Sequence, residues 1–330
     1  MNQHPHGAKD LSILIPARKE IFLKRTILNA LENIEADTEI IAVLDGEWID
    51  PPVPQRDGVN LIYVNKAVGQ RGGANLAASL SRARYVMKVD AHCSFDKGFD
   101  RKMIEGFKKV DGDVVMVPIM RNLWGFDWKC KECGWRTYQD TKPKKCKECG
   151  RSDRLYRKMI WKGKERPKSV SFRFDSEPHF HYFNKYKKRD EYKKMKEELG
   201  LTETMSLQGS CFMTTRDTYW KLKLCDEELG NWGNQGIEVA CKAWLSGGKV
   251  FCNHSTWYAH MFRTHTGFAF PWGHSARDTQ KTKSAVWEQT VNGNLPYQKY
   301  PVSWLIDKFY PVPGWSDEDI KKLKETETMP

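Results

Sequence analysis

The chain has 330 residues, 40% of them hydrophobic and 29% charged, and carries a formal net charge of +12. That length and apolar share describe a globular protein of one large or two smaller domains. No run of eighteen apolar residues appears, which excludes a spanning helix. The start MNQHPHGAKD lacks the charged-then-apolar pattern of a secretion signal, so a cytoplasmic setting, in a cell or an infected host, is expected.

In chain order, LSILI (Leu11 to Ile15) is a short apolar run ending at Pro16, and RTILNALENI after it has helical spacing. EIIAVLDG, NLIYVN, the glycine-rich helix start GQRGGANLAASLSRA and the strand YVMKVD follow. Strands alternating with helices predict an α/β fold with a mostly parallel sheet. Such sheets bind ligands beyond the carboxyl ends of their strands, where this chain carries Pro16-Ala17-Arg18, Asp45-Gly46 and Asp90-Ala91-His92. Asp90 and His92 are two positions apart, so in extended backbone both point to one side. A carboxylate and an imidazole held together suit a divalent cation; a solvated strand end with Asp90 starting a turn is the alternative. GQRGGAN is neither a Walker A loop nor a GxGxxG fingerprint. Its glycines and Arg71 bring N–H groups and a cation near phosphate, or else pack a helix tightly on the sheet.

Next comes DVVMVPIM, whose sheet partners are expected well downstream, and then CKECGWRTYQDTKPKKCKECG. Cys130, Cys133, Cys146 and Cys149 form two CxxC pairs, enough thiolates to close a tetrahedral Zn²⁺ with no open position. The spacing predicts a structural zinc ribbon. Residues 129–168 hold fifteen Lys or Arg against five acids, so most of the excess charge sits here, a pattern that favours a polyanion such as nucleic acid. Interleaved Trp and Tyr residues either stack on bases or pack the ribbon on its host. The remaining five cysteines read as buried thiols.

Downstream, KYKKRDEYKKMKEEL reads as a solvent-facing charged helix. LQGSCFMTTRDTYWKL reads as strand, turn and helix, and GNWGNQGIEVACKAWLSGGKVFCN as loop, helix, glycine stop and strand. After Arg263, THTGFAFPWGHSARDTQ has the composition of a mobile loop that could close over the donor, with His265, His274 and Arg277 either phosphate contacts or ordinary surface residues.

SILIPARKE, IIAVLDG, VDAHC, WGNQGIEVACKAWLSGG and YAHMFR, in that order, resemble nucleotide-sugar-dependent glycosyltransferases of the GT-A fold (family 2-like), most closely the polypeptide N-acetylgalactosaminyltransferases. The resemblance implies a GT-A domain, a Rossmann-like mixed sheet, with the zinc ribbon inserted. Its expected divisions are 1–120 for the nucleotide-sugar half, 121–170 for the ribbon, 171–265 for the acceptor half and 266–330 for a C-terminal loop and tail. It implies Mn²⁺ (or Mg²⁺) on Asp90, His92 and His260, holding the diphosphate of a UDP-sugar. Asp45 matches the base-contacting carboxylate; Arg71 and Asn75 would lie near nucleotide or sugar, beside Pro16, Ala17 and Arg18. Gln235 stands where the family pattern has an acid, and Glu238 matches a second one. Glu238 is then the general base of an inverting transfer, a positioning group in a retaining one, or a structural group that caps or orients the helix start.

The relatives resembled are luminal and anchored, features not read in this chain, whereas phage-type enzymes that glycosylate hydroxymethylated bases are cytosolic. Hydroxymethylated DNA is therefore the expected acceptor, contacted by Lys144, Lys145 and Trp232. A cytosolic transferase for protein or carbohydrate, and a noncatalytic nucleic-acid-binding protein on the same fold, are the alternatives. Sugar, stereochemistry and oligomeric state are not legible.

Overall fold

The structure is a computed structural model that describes residues 9–262 and 276–328. Its first half sets four parallel strands side by side: β1 (Leu11–Ala17), β2 (Thr38–Asp45), β3 (Val59–Val64) and β4 (Tyr85–Val89). β1 and β4 are buried along their whole length, which explains why they read as continuous apolar runs and not as alternating ones. Helices α1 (Leu23–Asn33) and α2 (Gly69–Leu80) connect them, α1 burying Leu23, Ile27 and Ala30. β5 (Cys93–Phe95) and α3 (Phe99–Phe107) follow directly.

The second half completes the same sheet. β6 (Val114–Cys130), β7 (Arg136–Tyr138) and β8 (Leu155–Ser169) form a long ribbon. β9 (Phe172–Phe174) and β10 (Phe180–Tyr182) make a separate hairpin, followed by the charged helix α4 (Asp190–Leu199), in which only Tyr192 is buried. β11 (Leu201–Glu203), β12 (Cys211–Thr215), α5 (Arg216–Lys221), α6 (Gln235–Leu245) and β13 (Lys249–His260) finish the domain. The spatial order is β11-β13-β6-β12-β4-β1-β2-β3, so β6 does pair with downstream strands, antiparallel to β12 and parallel to β13.

Residues 276–328 are not a loop and tail. They form α7 (Ala276–Val291), α8 (Val302–Phe309) and α9 (Asp317–Thr326), and Val302, Leu305, Ile306 and Phe309 of α8 join the main core. The physical reason is the apolar spacing of α8, which the glycine- and proline-rich approach to it obscures. α9 starts with a capping box, Ser316 and Asp319 each satisfying the other's backbone N–H. His265 and His274 lie outside the described residues.

β6 runs past the sheet edge and continues as a two-stranded ribbon with β8, Leu123 opposite Gly163 and Cys130 opposite Leu155. Its inner face carries Leu123, Phe126 and Trp128 onto Phe22, Ala259 and Met261, a second apolar cluster. Most of the ribbon's tryptophans therefore serve packing.

Candidate active site

β4 ends at Val89 and Asp90 follows, its N–H donating to the Ser210 carbonyl at 2.8 Å. β13 ends at His260, and β5 pairs antiparallel to it with His260 opposite Cys93. That pairing carries a residue 170 positions away onto Asp90 and His92. His260 Nε2 lies 3.2 Å from Asp90 Oδ2 and 3.1 Å from His92 Nε2, while His92 Nε2 is 4.0 Å from Asp90 Oδ2.

Two imidazole nitrogens and one carboxylate oxygen thus converge on one point. Adjacent ligands of an octahedral ion with bonds of about 2.1 Å stand about 3.0 Å apart, so the spacing fits a divalent cation. The tautomers fit as well. His92 Nδ1 sits 3.0 Å from Glu20 Oε2, and donating there leaves its Nε2 lone pair facing the shared point. His260 Nδ1 is buried without a partner, so Nε2 is the only nitrogen with which it meets the other two ligands.

Electrostatics favour the unprotonated set. Burial acts to raise the Asp90 carboxyl, yet the ammonium of Lys88 and contacts with His260 and His92 hold it well below the usual carboxylate range. Burial brings His260 down to about 4, against the hydrogen bond with Asp90. Lys88 is wholly buried, bonded to Asp90 Oδ1 and, at 2.8 Å, to the Gly209 carbonyl. Asp90 Oδ2 is left for the shared point.

A cavity of about 380 Å³ opens over these residues. Pro16, Ala17 and Arg18 line it from the end of β1, and Trp232 and Gln235 from the loop and first turn of α6. Four of its lining residues carry a buried polar atom without a protein partner: Arg18 Nε, Asn234 Nδ2, Gln235 Oε1 and His260 Nδ1. Buried polar groups are ordinarily satisfied, so these mark a polar ligand's place. The loop is held close: a Cβ on Gly236 would meet the Leu207 carbonyl oxygen at 2.0 Å, so only glycine fits.

Three expected donor contacts and the expected base are occupied elsewhere. Glu238 has a fully buried side chain, Oε2 bonded to Arg71 and Oε1 to Lys242 at 2.8 Å. It does not line the cavity. Fully buried and away from the cavity, it is out of reach of a bound acceptor, which corrects the general-base expectation. Arg71 spends its guanidinium on Glu238 and on the carbonyls of Gly230 (2.9 Å) and Gly233 (2.7 Å). Asp45 accepts from the N–H groups of Val68 (2.6 Å) and Gly69 (3.1 Å), capping α2. Asn75 bonds the Cys225 carbonyl and Glu227. These four build the walls and do not line the cavity.

At the far end of the ribbon, Cys130, Cys133, Cys146 and Cys149 cluster with all Sγ atoms within 4.8 Å. Two Sγ pairs stand 3.6 and 3.5 Å apart, near the roughly 3.8 Å edge of a tetrahedron with 2.3 Å bonds. Each CxxCG turn needs its glycine, since Gly134 and Gly150 have φ of 76° and 73°. Desolvation acts to raise Cys146, yet backbone N–H groups of Cys149 and Glu148 and the neighbouring thiols bring it down to about 7. The four residues can hold a thiophilic metal. Lys144 and Lys145 are exposed on the loop between the two turns and do not line the cavity.

Sequence reasoning missed Glu20, Lys88 and Asn234. Glu20 sits in the SILIPARKE stretch, and a lysine in the middle of an otherwise apolar strand was the available sign that Lys88 has a buried partner.

The Glycosyl transferase family 2 model matches residues 12–163. The chain has the GT-A fold, and its first half is similar to family 2 nucleotide-sugar glycosyltransferases. Human polypeptide N-acetylgalactosaminyltransferase 13 is 21% identical over 342 residues, covering 94% of this chain and 50% of that protein. A Drosophila melanogaster protein named for the same transferase is 24% identical over 280 residues, 79% of this chain and 43% of its own. The GT-A chain therefore spans about half the length of the curated relatives it matches. A crystal structure of GalNAc-T7 with UDP, GalNAc and Mn²⁺ shares the fold, with a TM-score of 0.60 at 16% identity, over 97% of this chain and 55% of that one. No helix among the described residues of the GT-A chain is long and apolar enough to cross a membrane.

Proposed function

We propose that the protein transfers a sugar from a UDP-sugar to a hydroxyl acceptor, with a divalent cation, Mn²⁺ or Mg²⁺, held by Asp90, His92 and His260. The observation that carries this reading is the convergence of those three side chains at the mouth of a cavity whose polar atoms lack partners. The cation would neutralise the diphosphate as it leaves. Gln235 Oε1, Asn234 Nδ2 and Arg18 Nε would orient donor hydroxyls and phosphate. Two carboxylates line the cavity among the described residues: Asp90, assigned to the cation, and Glu20, bonded to His92. In the transfer, the acceptor oxygen bonds to the anomeric carbon, the bond from that carbon to the phosphate oxygen breaks, and the departing diphosphate takes the hydroxyl proton.

The acceptor we propose is a hydroxymethylated base in DNA, approached by Trp232 at the cavity and by Lys144 and Lys145 on the cysteine knob, which would be closed by Zn²⁺. The excess of basic residues in 129–168 supports this reading. So does a reducing, cytoplasmic setting, consistent with nine cysteines free of disulfides. A polypeptide Ser or Thr hydroxyl is the second reading, favoured by the names of the relatives.

The test offers the protein Mn²⁺, a panel of UDP-sugars, and in turn plain DNA, DNA containing 5-hydroxymethylcytosine, and a Ser/Thr-rich peptide. Mass spectrometry of the digested acceptors follows. A hexose or N-acetylhexosamine mass gain confined to the hydroxymethylated base supports the DNA reading. Gain confined to the peptide replaces it with the second.

A further inference from the structure

We propose that the outward face of the β6–β8 ribbon is a binding platform for a nucleic-acid strand, a role that rests on the DNA reading of the acceptor and gives it a surface. In an antiparallel pair, residues opposite one another share a face, and successive residues alternate. Phe126 opposite Met159, Trp128 opposite Arg157 and Cys130 opposite Leu155 hold the inner face. The other face then carries Tyr138 with Asp127 and Lys158, and Arg136 with Lys129 and Tyr156. The register shifts between Trp124 and Phe126, and Trp124, opposite Lys162, joins this face through its ring contact with Tyr138 and its bond to Asp127.

That face alternates rings with cations. Lys164 Nζ stands 3.7 Å from the Tyr138 ring centroid and Lys131 Nζ 5.6 Å from that of Tyr156, while the Trp124 and Tyr138 rings lie 5.9 Å apart. Arg136, Tyr138, Lys158 and Lys162 are exposed. The one acid among these paired positions, Asp127, is only 3% exposed and accepts from Trp124 Nε1 at 2.8 Å. The face therefore presents positive charge with little to oppose it. An acidic peptide would satisfy the cations but leave the rings without planar partners, whereas a nucleic-acid strand offers both phosphates and bases.

The register ties the platform to the chemistry. His260 pairs with Asn122 on β6, and Trp124 is two residues further on. From Trp124 to Lys129 the strand advances about 17 Å at about 3.3 Å per residue. A strand lying along this face leads to the metal-site end of the sheet.

Fluorescence anisotropy with a labelled single-stranded DNA 20-mer, a duplex of the same sequence and a poly-glutamate peptide tests this on the full chain. Lys158→Glu with Lys162→Glu should weaken DNA binding at least tenfold and flatten its salt dependence. Tyr138→Ala with Tyr156→Ala should weaken single-strand binding by roughly 5-fold or more per ring. Both variants should bind metal at the cysteine knob and release UDP from donor alone as the parent does. Should the glutamate variant lose the knob metal, Lys158→Gln with Lys162→Gln takes its place.

Unchanged DNA affinity in these variants, or poly-glutamate binding as tight as DNA, overturns the platform. The two readings fail separately. DNA bound on this face with no base ever glycosylated removes the DNA acceptor and leaves the platform; glycosylated bases with unaltered binding by the variants removes the platform alone.

Discussion

The Arg71 guanidinium and the Glu238 carboxylate form a fully buried ion pair, 2.7 Å between Nη2 and Oε2, and the same guanidinium holds the carbonyls of Gly230 and Gly233. The pair thereby fixes the loop that presents Trp232, Asn234 and Gln235 to the cavity. Removing Arg71 takes from Glu238 one of its two buried cations and leaves the two carbonyls without their donor, and breaking such a buried pair costs about 3–5 kcal/mol. Arg71→Met should lower the unfolding free energy measured in urea by that much. A fully stable Arg71→Met protein would show that the pair does not hold the loop.

Glu20 should control metal affinity without touching the metal. Glu20→Gln keeps the size of the side chain but removes the charge that orients His92. Metal-ligating histidines lose about 10–100-fold in affinity when such a partner is changed. Titration with Mn²⁺, followed by electron paramagnetic resonance, checks this. Undiminished affinity would remove Glu20 from the metal site.

The cysteine knob should contain one zinc per chain, measured by plasma mass spectrometry after dialysis. Its core is small, Cys130, Cys146 and Leu155 with Trp135 packed against them, so metal must supply most of its folding free energy. Cys133→Ser should lose the zinc and make the 131–154 segment protease-sensitive while the parallel sheet stays folded. A zinc-free, protease-resistant knob would contradict the assignment.

Acid should destabilise the edge of the sheet near His254. Its Nε2 contacts Thr202 Oγ1 at 2.9 Å, and burial brings its pKa down to about 4. The unfolded value is about 6.5, so between these limits the unfolded chain binds more protons. Stability is complete above the unfolded value and falls as pH drops toward the folded one, by on the order of 2 kcal/mol. His254→Gln should flatten that slope in urea unfolding measured from pH 7 to pH 4.5.

The fold was largely legible, because β1, β2 and β4 are apolar runs of strand length and α1 and α4 show their periodicity outright. Of the three proposed cation ligands, His260 was legible only through resemblance, since nothing local ties it to a motif 168 residues earlier. Asp45, Arg71 and Glu238 were misplaced for one shared reason. A carboxylate or guanidinium near a strand end or helix start looks the same in sequence whether it faces a ligand or satisfies backbone groups and a distant partner. Arg71 and Glu238 are 167 residues apart, and only the folded sheet shows that they neutralise each other. The C-terminal helices were missed because glycine, proline and aromatic residues ahead of α7 set the expectation for everything after them.

The central claim is that Asp90, His92 and His260 carry a cation that a UDP-sugar needs. The most direct measurement is UDP release from a panel of UDP-sugars, with Mn²⁺, with Mg²⁺ and with EDTA, by the parent and by His260→Ala, alongside thermal melts of both. The account predicts release by the parent with metal, loss of release with EDTA, and a His260→Ala protein that melts normally but releases at least 100-fold less UDP. Release that persists in EDTA, or in a well-folded His260→Ala protein, would contradict it.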